Sequence, residues 1–143
     1  MAEIERRRGD ITVGRVRSGW GSYRGRAIEP LIREALTRLL PDDQLPAAPV
    51  VGGYWTRTNE VEIDLVGADR SPVATGLVFV GSIKWHDHAP FDRQDEAALL
   101  RQRARLTDDP VPVAVVSRSG VDSPAANARY GPEDLIRAWH PRS

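Results

Sequence analysis

Residues 60–67 read Glu-Val-Glu-Ile-Asp-Leu-Val-Gly, and residues 76–85 read Gly-Leu-Val-Phe-Val-Gly-Ser-Ile-Lys-Trp. The first stretch alternates apolar and acidic side chains. That is the two-residue period of a strand with one face packed and the other wet. Val61, Ile63 and Leu65 are therefore expected on one face, and Glu60, Glu62 and Asp64 on the other. The second stretch is apolar almost throughout, the pattern of a strand covered on both faces in the middle of a sheet.

The neighbouring segments complete an α/β order. Val50 to Arg57 reads as a further strand, joined to the alternating one by a tight turn at Thr58-Asn59. Upstream, Ile28, Leu31, Ile32, Ala35, Leu36, Leu39 and Leu40 recur at three- and four-residue steps, which predicts an amphipathic helix. Pro30 fits only its first turn, and Pro41 with Asp42 ends it. Downstream, Asp92 is a candidate N-cap for a helix over Arg93 to Leu106. Val111 to Ser117 is a fourth, buried strand with Pro112 marking its beginning. Residues 118–131 read as loop, and Pro132 to Trp139 as a closing helix. Three strands joined by short turns suggest a meander, and the helix after them allows a right-handed crossover to a parallel neighbour.

Residues 1–23 differ in kind. They are polar and Arg-rich, with Gly9, Gly14, Gly19 and Gly21, and read as a basic arm or linker in which Ile11-Thr12-Val13 is a short strand. Residues 24–143 are expected to form one domain, in keeping with a chain of 143 residues. With 41% hydrophobic residues there is enough apolar material for a core. Equal numbers of basic and acidic groups, 20 of each, leave no net charge. The absence of cysteine excludes disulfides, thiolate metal sites and cysteine nucleophiles. No apolar run approaches the ~20 residues that a membrane span needs. The first residues lack the apolar stretch of a signal peptide, so a cytoplasmic location is expected.

Charge is uneven along the chain. Residues 1–40 carry nine Arg against five acids, whereas residues 54–96 carry four bases against eight acids. The basic segment can track phosphates, and Arg6, Arg7, Arg8, Arg15 and Arg17 are the candidate nucleic-acid contacts. The acidic segment can hold a divalent cation. Of the twenty basic residues, Lys84 alone is lysine.

In the alternating strand Glu62 and Asp64 share a face, as do Ser82 and Lys84 in the next strand. A meander brings the two sets together at one end of the sheet. Glu29 lies near the start of the first helix, with Arg33 four residues on as a local ion-pair partner. Two or three carboxylates with one ammonium suit phosphodiester hydrolysis. The carboxylates hold Mg²⁺, the metal activates water, and the lysine orients that water or neutralises developing charge.

Glu29, Glu62-Ile63-Asp64 and Ser82-Ile83-Lys84 resemble the PD-(D/E)xK nuclease superfamily. More narrowly, residues 23–29 (Tyr-Arg-Gly-Arg-Ala-Ile-Glu), Gly53-Tyr54-Trp55, Glu62-Ile63-Asp64 and residues 81–85 (Gly-Ser-Ile-Lys-Trp) are similar to the nuclease-like C-terminal domain of archaeal-type ATPases. The resemblance spans roughly residues 20–117. It implies a restriction-endonuclease-like αβββαβ core, a mixed central sheet flanked by helices. It implies Lys84, Asp64 and Glu29 as catalytic residues, and Asp64, Glu62 and Glu29 as ligands for Mg²⁺ or Mn²⁺. The implied activity is a metal-dependent deoxyribonuclease, with DNA as partner. One position departs: Ser82 stands where the family has Glu or Asp, and a hydroxyl is a poor Mg²⁺ ligand beside carboxylate. Glu62 or Glu29 substitutes for it, or catalysis is lost and the fold is kept as a regulatory or docking domain of an ATPase. No phosphate-binding Gly-rich loop with Lys-Ser or Lys-Thr occurs, so any nucleotide module lies outside these residues.

His86-Asp87-His88 is a weaker metal candidate, since His140 is the one further histidine. Trp20, Trp55, Trp85 and Trp139 can stack bases, although packing suits Trp55 and Trp85 better.

Overall fold

The computed structural model describes residues 17–18, 28–56, 61–69 and 76–140. Its elements run β1 (Arg17–Ser18), α1 (Ile28–Leu39), β2 (Val50–Trp55), β3 (Glu62–Ala68), β4 (Leu77–Lys84), α2 (Arg93–Leu106), β5 (Val113–Ser117), β6 (Ala128–Tyr130) and α3 (Pro132–Trp139). The fold is α/β. The strands form one mixed sheet in the order β1-β2-β3-β4-β5-β6. Strands β1 to β4 pair antiparallel, and β5 and β6 add in parallel. The parallel step from β4 to β5 is made through α2, a crossover that returns the chain to the same end of the sheet.

The helices cover both faces. Ile32, Leu36 and Leu40 pack with Leu65, Phe79, Ile83, Val116 and Tyr130 on the α1 and α3 side. Leu99 and Leu106 of α2 pack with Ile63, Val66, Val80, Val113 and Val115 on the other. β5 is buried at every position, as its composition predicts. At Gly81 an added Cβ would run into the carbonyl of Ala114, so glycine lets β4 and β5 approach.

The helix boundaries follow the sequence signals. α1 ends before Pro41, and Pro30 lies in its first turn. Asp92 caps α2: its carboxylate accepts from the backbone N–H of Gln94 and Asp95, while Asp95 returns a bond to the Asp92 N–H.

Three expectations change. Residues 128–130 are a strand rather than loop. Their register with β5 is Ala114↔Ala128, Val115↔Arg129 and Val116↔Tyr130. The outer edge of β6 is met by a side chain: the Gln44 carboxamide donates to the Arg129 carbonyl at 3.2 Å and accepts from the Arg129 N–H at 3.0 Å. Second, of the arm expected over residues 1–23, Arg17 and Ser18 pair antiparallel with Gly53 and Gly52 at the sheet's opposite edge. The remaining arm residues, including Arg6, Arg7, Arg8, Arg15 and the segment Ile11-Thr12-Val13, lie outside the described residues, as does the turn at Thr58-Asn59. Third, Ile63 and Leu65 do not share a face. Ile63 packs toward α2 and Leu65 toward α1.

Candidate functional site

The break in alternation comes from a β-bulge. β2 and β3 pair as Gly52↔Val66 and then as Tyr54↔Ile63, so Asp64 and Leu65 together oppose Gly53. The extra residue reverses which face each side chain meets. It also turns the Asp64 carbonyl toward α1. There the Arg33 side chain takes it with two donors, Nε at 3.1 Å and Nη2 at 2.9 Å. Arg33 Nη2 also donates to Glu29 Oε1 at 3.3 Å. Gly53 makes room for this fork, since a Cβ there would stand 3.0 Å from Nη2 and 3.3 Å from the Asp64 carbonyl oxygen.

Glu29 and Arg33 are each 4% exposed, so this ion pair is enclosed. Burial lowers the Arg33 pKa from its ordinary value, opposed by the Glu29 and Asp64 charges and by the bond to Glu29. Arginine nevertheless stays protonated in proteins, so a full positive charge rests between α1 and the bulge.

The Asp64 carboxylate points along the sheet. The β3–β4 pairs run from Ala68↔Leu77 to Leu65↔Gly81. Beyond them Asp64 Oδ2 accepts from the Ile83 N–H at 3.2 Å and from Ser82 Oγ at 3.4 Å. The aspartate side chain thus supplies an acceptor where the strands part. Asp64 and Ser82 meet, as a meander requires.

Lys84 is engaged elsewhere. Its Nζ lies 2.7 Å from Asp95 Oδ2 in the first turn of α2, on the opposite side of the sheet from Glu29 and Arg33. Burial acts to raise the Asp95 pKa. The hydrogen bonds from Lys84 and from the Asp92 N–H, together with the Lys84 charge, outweigh it, and the net shift is downward. Asp95 therefore serves at once as cap and as counter-ion. The sequence held a signal for it in the spacing of Asp92 and Asp95 ahead of an apolar helix, but not for its pairing with Lys84.

The expected ligands do not fit a metal as they stand. Glu29 faces a guanidinium, and Asp64 is bonded to a backbone N–H and a hydroxyl. Glu62 is half-buried in register with Trp55. Among the described residues no group of three or more His, Asp or Glu side chains is gathered to hold an ion, and this includes exposed His86, Asp87 and His88. Instead Asp87 pairs with Arg118 at 2.5 Å.

A second feature lies between α1 and α3. Ile28, Leu31, Trp85, Leu135, Ile136 and Trp139 line an apolar groove of about 390 Å³. Leu31 is 54% exposed, Ile136 60% and Trp139 39%, which is unusual clustering for large apolar side chains. The Arg38 guanidinium stacks 3.8 Å from the Trp139 ring centre.

Residues 1–99 match a family, DUF234, described as archaea bacterial proteins of unknown function. The chain belongs to this family. In this DUF234 chain the matched residues take in α1, the β2–β4 meander, the bulge, Lys84 and Asp95. β5, β6 and α3 follow the match. No curated protein and no solved structure matches the chain. Among the described residues no helix is long and apolar enough to cross a membrane.

Proposed function

We propose that this domain binds rather than cleaves: a nuclease-like fold used as a regulatory or docking module of an ATPase. The division of the expected catalytic set by the sheet carries this reading. Lys84 is held by Asp95 on the α2 side, while Glu29 is held by Arg33 on the α1 side. Phosphodiester hydrolysis needs the carboxylates and the ammonium turned toward one reacting phosphate. With Ser82 in place of an acid, the site lacks the anionic charge that would offset dehydrating Mg²⁺. The apolar surface at Leu31, Ile136 and Trp139 suits a protein partner, since large exposed apolar clusters mark such contacts. The ATPase as partner comes from the resemblance at residues 20–117.

The test has two arms. The purified chain is incubated with single- and double-stranded DNA in Mg²⁺ or Mn²⁺, and no cleavage is expected. Cleavage that Lys84→Ala and Asp64→Ala both abolish overturns the reading. An archaeal-type ATPase module is then titrated into the chain by calorimetry. Binding is expected, weakened about tenfold or more by Ile136→Asp, as for loss of an apolar contact residue.

One observation favours a second reading, a DNA-binding nuclease with a decayed metal site. The Ser82 hydroxyl sits 3.4 Å from Asp64 Oδ2, so an acid in its place would stand beside the first carboxylate. Mg²⁺- or Mn²⁺-dependent cleavage gained by Ser82→Glu would support this reading, with the arginines of residues 1–23 as backbone contacts.

A further inference from the structure

We propose that the face formed by α1 and α3 is the interface of a two-fold dimer of this chain, in which Glu34 of each copy meets Arg38 of the other. The proposal rests on the reading of this face as a docking surface, and a second copy covers it when no ATPase module does. The centre of the face is apolar. Leu31 on α1 and Ile136 on α3 are each more than half exposed, beside a groove lined by Ile32, Trp85 and Leu135. Side chains of this size gain by being covered.

The charges around that centre show what kind of partner fits. α1 carries Glu34 one turn before Arg38, and α3 carries Glu133 one turn before Arg137. All four are exposed. A nucleic acid would meet two carboxylates here, and a basic segment would meet two guanidinium groups. A second copy meets its own pattern. Where a two-fold axis crosses a helix at right angles, the partner's helix runs antiparallel to it, so acid-then-base lies against base-then-acid. An axis level with Leu36 sets Glu34 opposite Arg38. The Arg38 guanidinium is held at the rim of the groove by the Trp139 ring, 3.8 Å from its centre. Its bond to Glu34 within the same copy is 3.3 Å long and half-exposed, so trading that partner across the axis costs little. Twenty basic and twenty acidic residues leave the chain without net charge, and no long-range repulsion keeps two copies apart.

Mass is measured by sedimentation equilibrium from micromolar to several hundred micromolar protein. The natural chain is expected to pass from monomer to dimer across that range, as suits a contact face of only two short helices. Ile136→Asp should weaken the dimer about tenfold or more, and Leu31→Asp probes the other helix in the same way. Glu34→Arg and Arg38→Glu should each weaken it too, because like charges then meet across the axis. Mixed in equal amounts, those two variants should recover the dimer mass, since every facing pair is again acid with base. The altered side chains are exposed, so the fold should persist, which far-ultraviolet circular dichroism checks. A natural chain that stays monomeric overturns the proposal. So does a dimer that Ile136→Asp and Leu31→Asp leave intact, or a mixture of the two charge variants no heavier than either alone. Each of these outcomes leaves ATPase docking standing, because the calorimetric titration reads it separately. Failure to bind an ATPase module would likewise leave the dimer standing.

Discussion

Two ion pairs flank the central strands, and they differ in almost every respect that decides energy. Arg33 and Glu29, on the α1 side, leave 5% of each side chain exposed. Lys84 and Asp95, on the α2 side, leave 24% and 31%. The first pair also carries a backbone carbonyl freed by a bulge. The second reinforces a helix cap that already has its own bonds. An enclosed pair contributes little net stability when whole, yet breaking it strands a charge. A half-exposed pair is screened by water and is worth little either way. Side chains that look like one chemical set along the sequence thus have two separate structural jobs.

The contrast can be broken most directly at Arg33. Arg33→Met removes the guanidinium from the enclosed Glu29 carboxylate and from the Asp64 carbonyl, and should cost about 3–5 kcal/mol in urea unfolding. A loss no greater than that of a surface pair would remove the distinction between the two sides. Gly53→Ala sharpens it from the opposite strand. Its Cβ would crowd the guanidinium, and overpacking of this kind costs about 1–3 kcal/mol, so a neutral Gly53→Ala would mean that the fork has room to move.

Lys84→Met should cost about 1 kcal/mol or less near neutral pH. Its loss should also depend on pH. Asp95 has its folded pKa held below the ordinary 3.8, so it contributes stability above that value and loses it as acid protonates the carboxylate. The difference between the natural chain and Lys84→Met should therefore shrink as pH falls through and below the ordinary carboxylate range. Unfolding curves at neutral pH and in acid check the sign; a gap that widens in acid would remove Lys84 as the cause of the shift. The smallest effect is expected at Ser82→Ala, within about 0.5 kcal/mol, because its 3.4 Å contact with Asp64 is long and partly wet.

Much of this fold could be read from periodicity. The bounds of α2 follow from Asp92 and the apolar steps, and α1 stops where Pro41 forbids it to continue. The parallel β4–β5 pair follows from an intervening helix. What alternation alone could not give was the bulge, because the extra residue in β3 is set by its partner strand, where Gly53 lets the guanidinium in. β6 was hidden for a related reason: Ala128-Arg129-Tyr130 is too short to show a period. In the site, Asp64 meeting Ser82 was legible from strand spacing. The Glu29–Arg33 pair was legible as a helical neighbour, but its reach to Asp64 was not, since it depends on tertiary contact. Asp95 could be found as a cap and not as the partner of Lys84.

The Gln44 carboxamide at the rim of β6 has a consequence for how copies of the chain treat one another. It makes the two bonds to Arg129 that an incoming backbone would seek, and its loop is tied down by Asp42, which accepts from the Tyr130 hydroxyl at 3.0 Å. An open rim invites one molecule to extend another's sheet indefinitely. Here that invitation is withdrawn by a single amide, so crowding in solution finds no free template at this border.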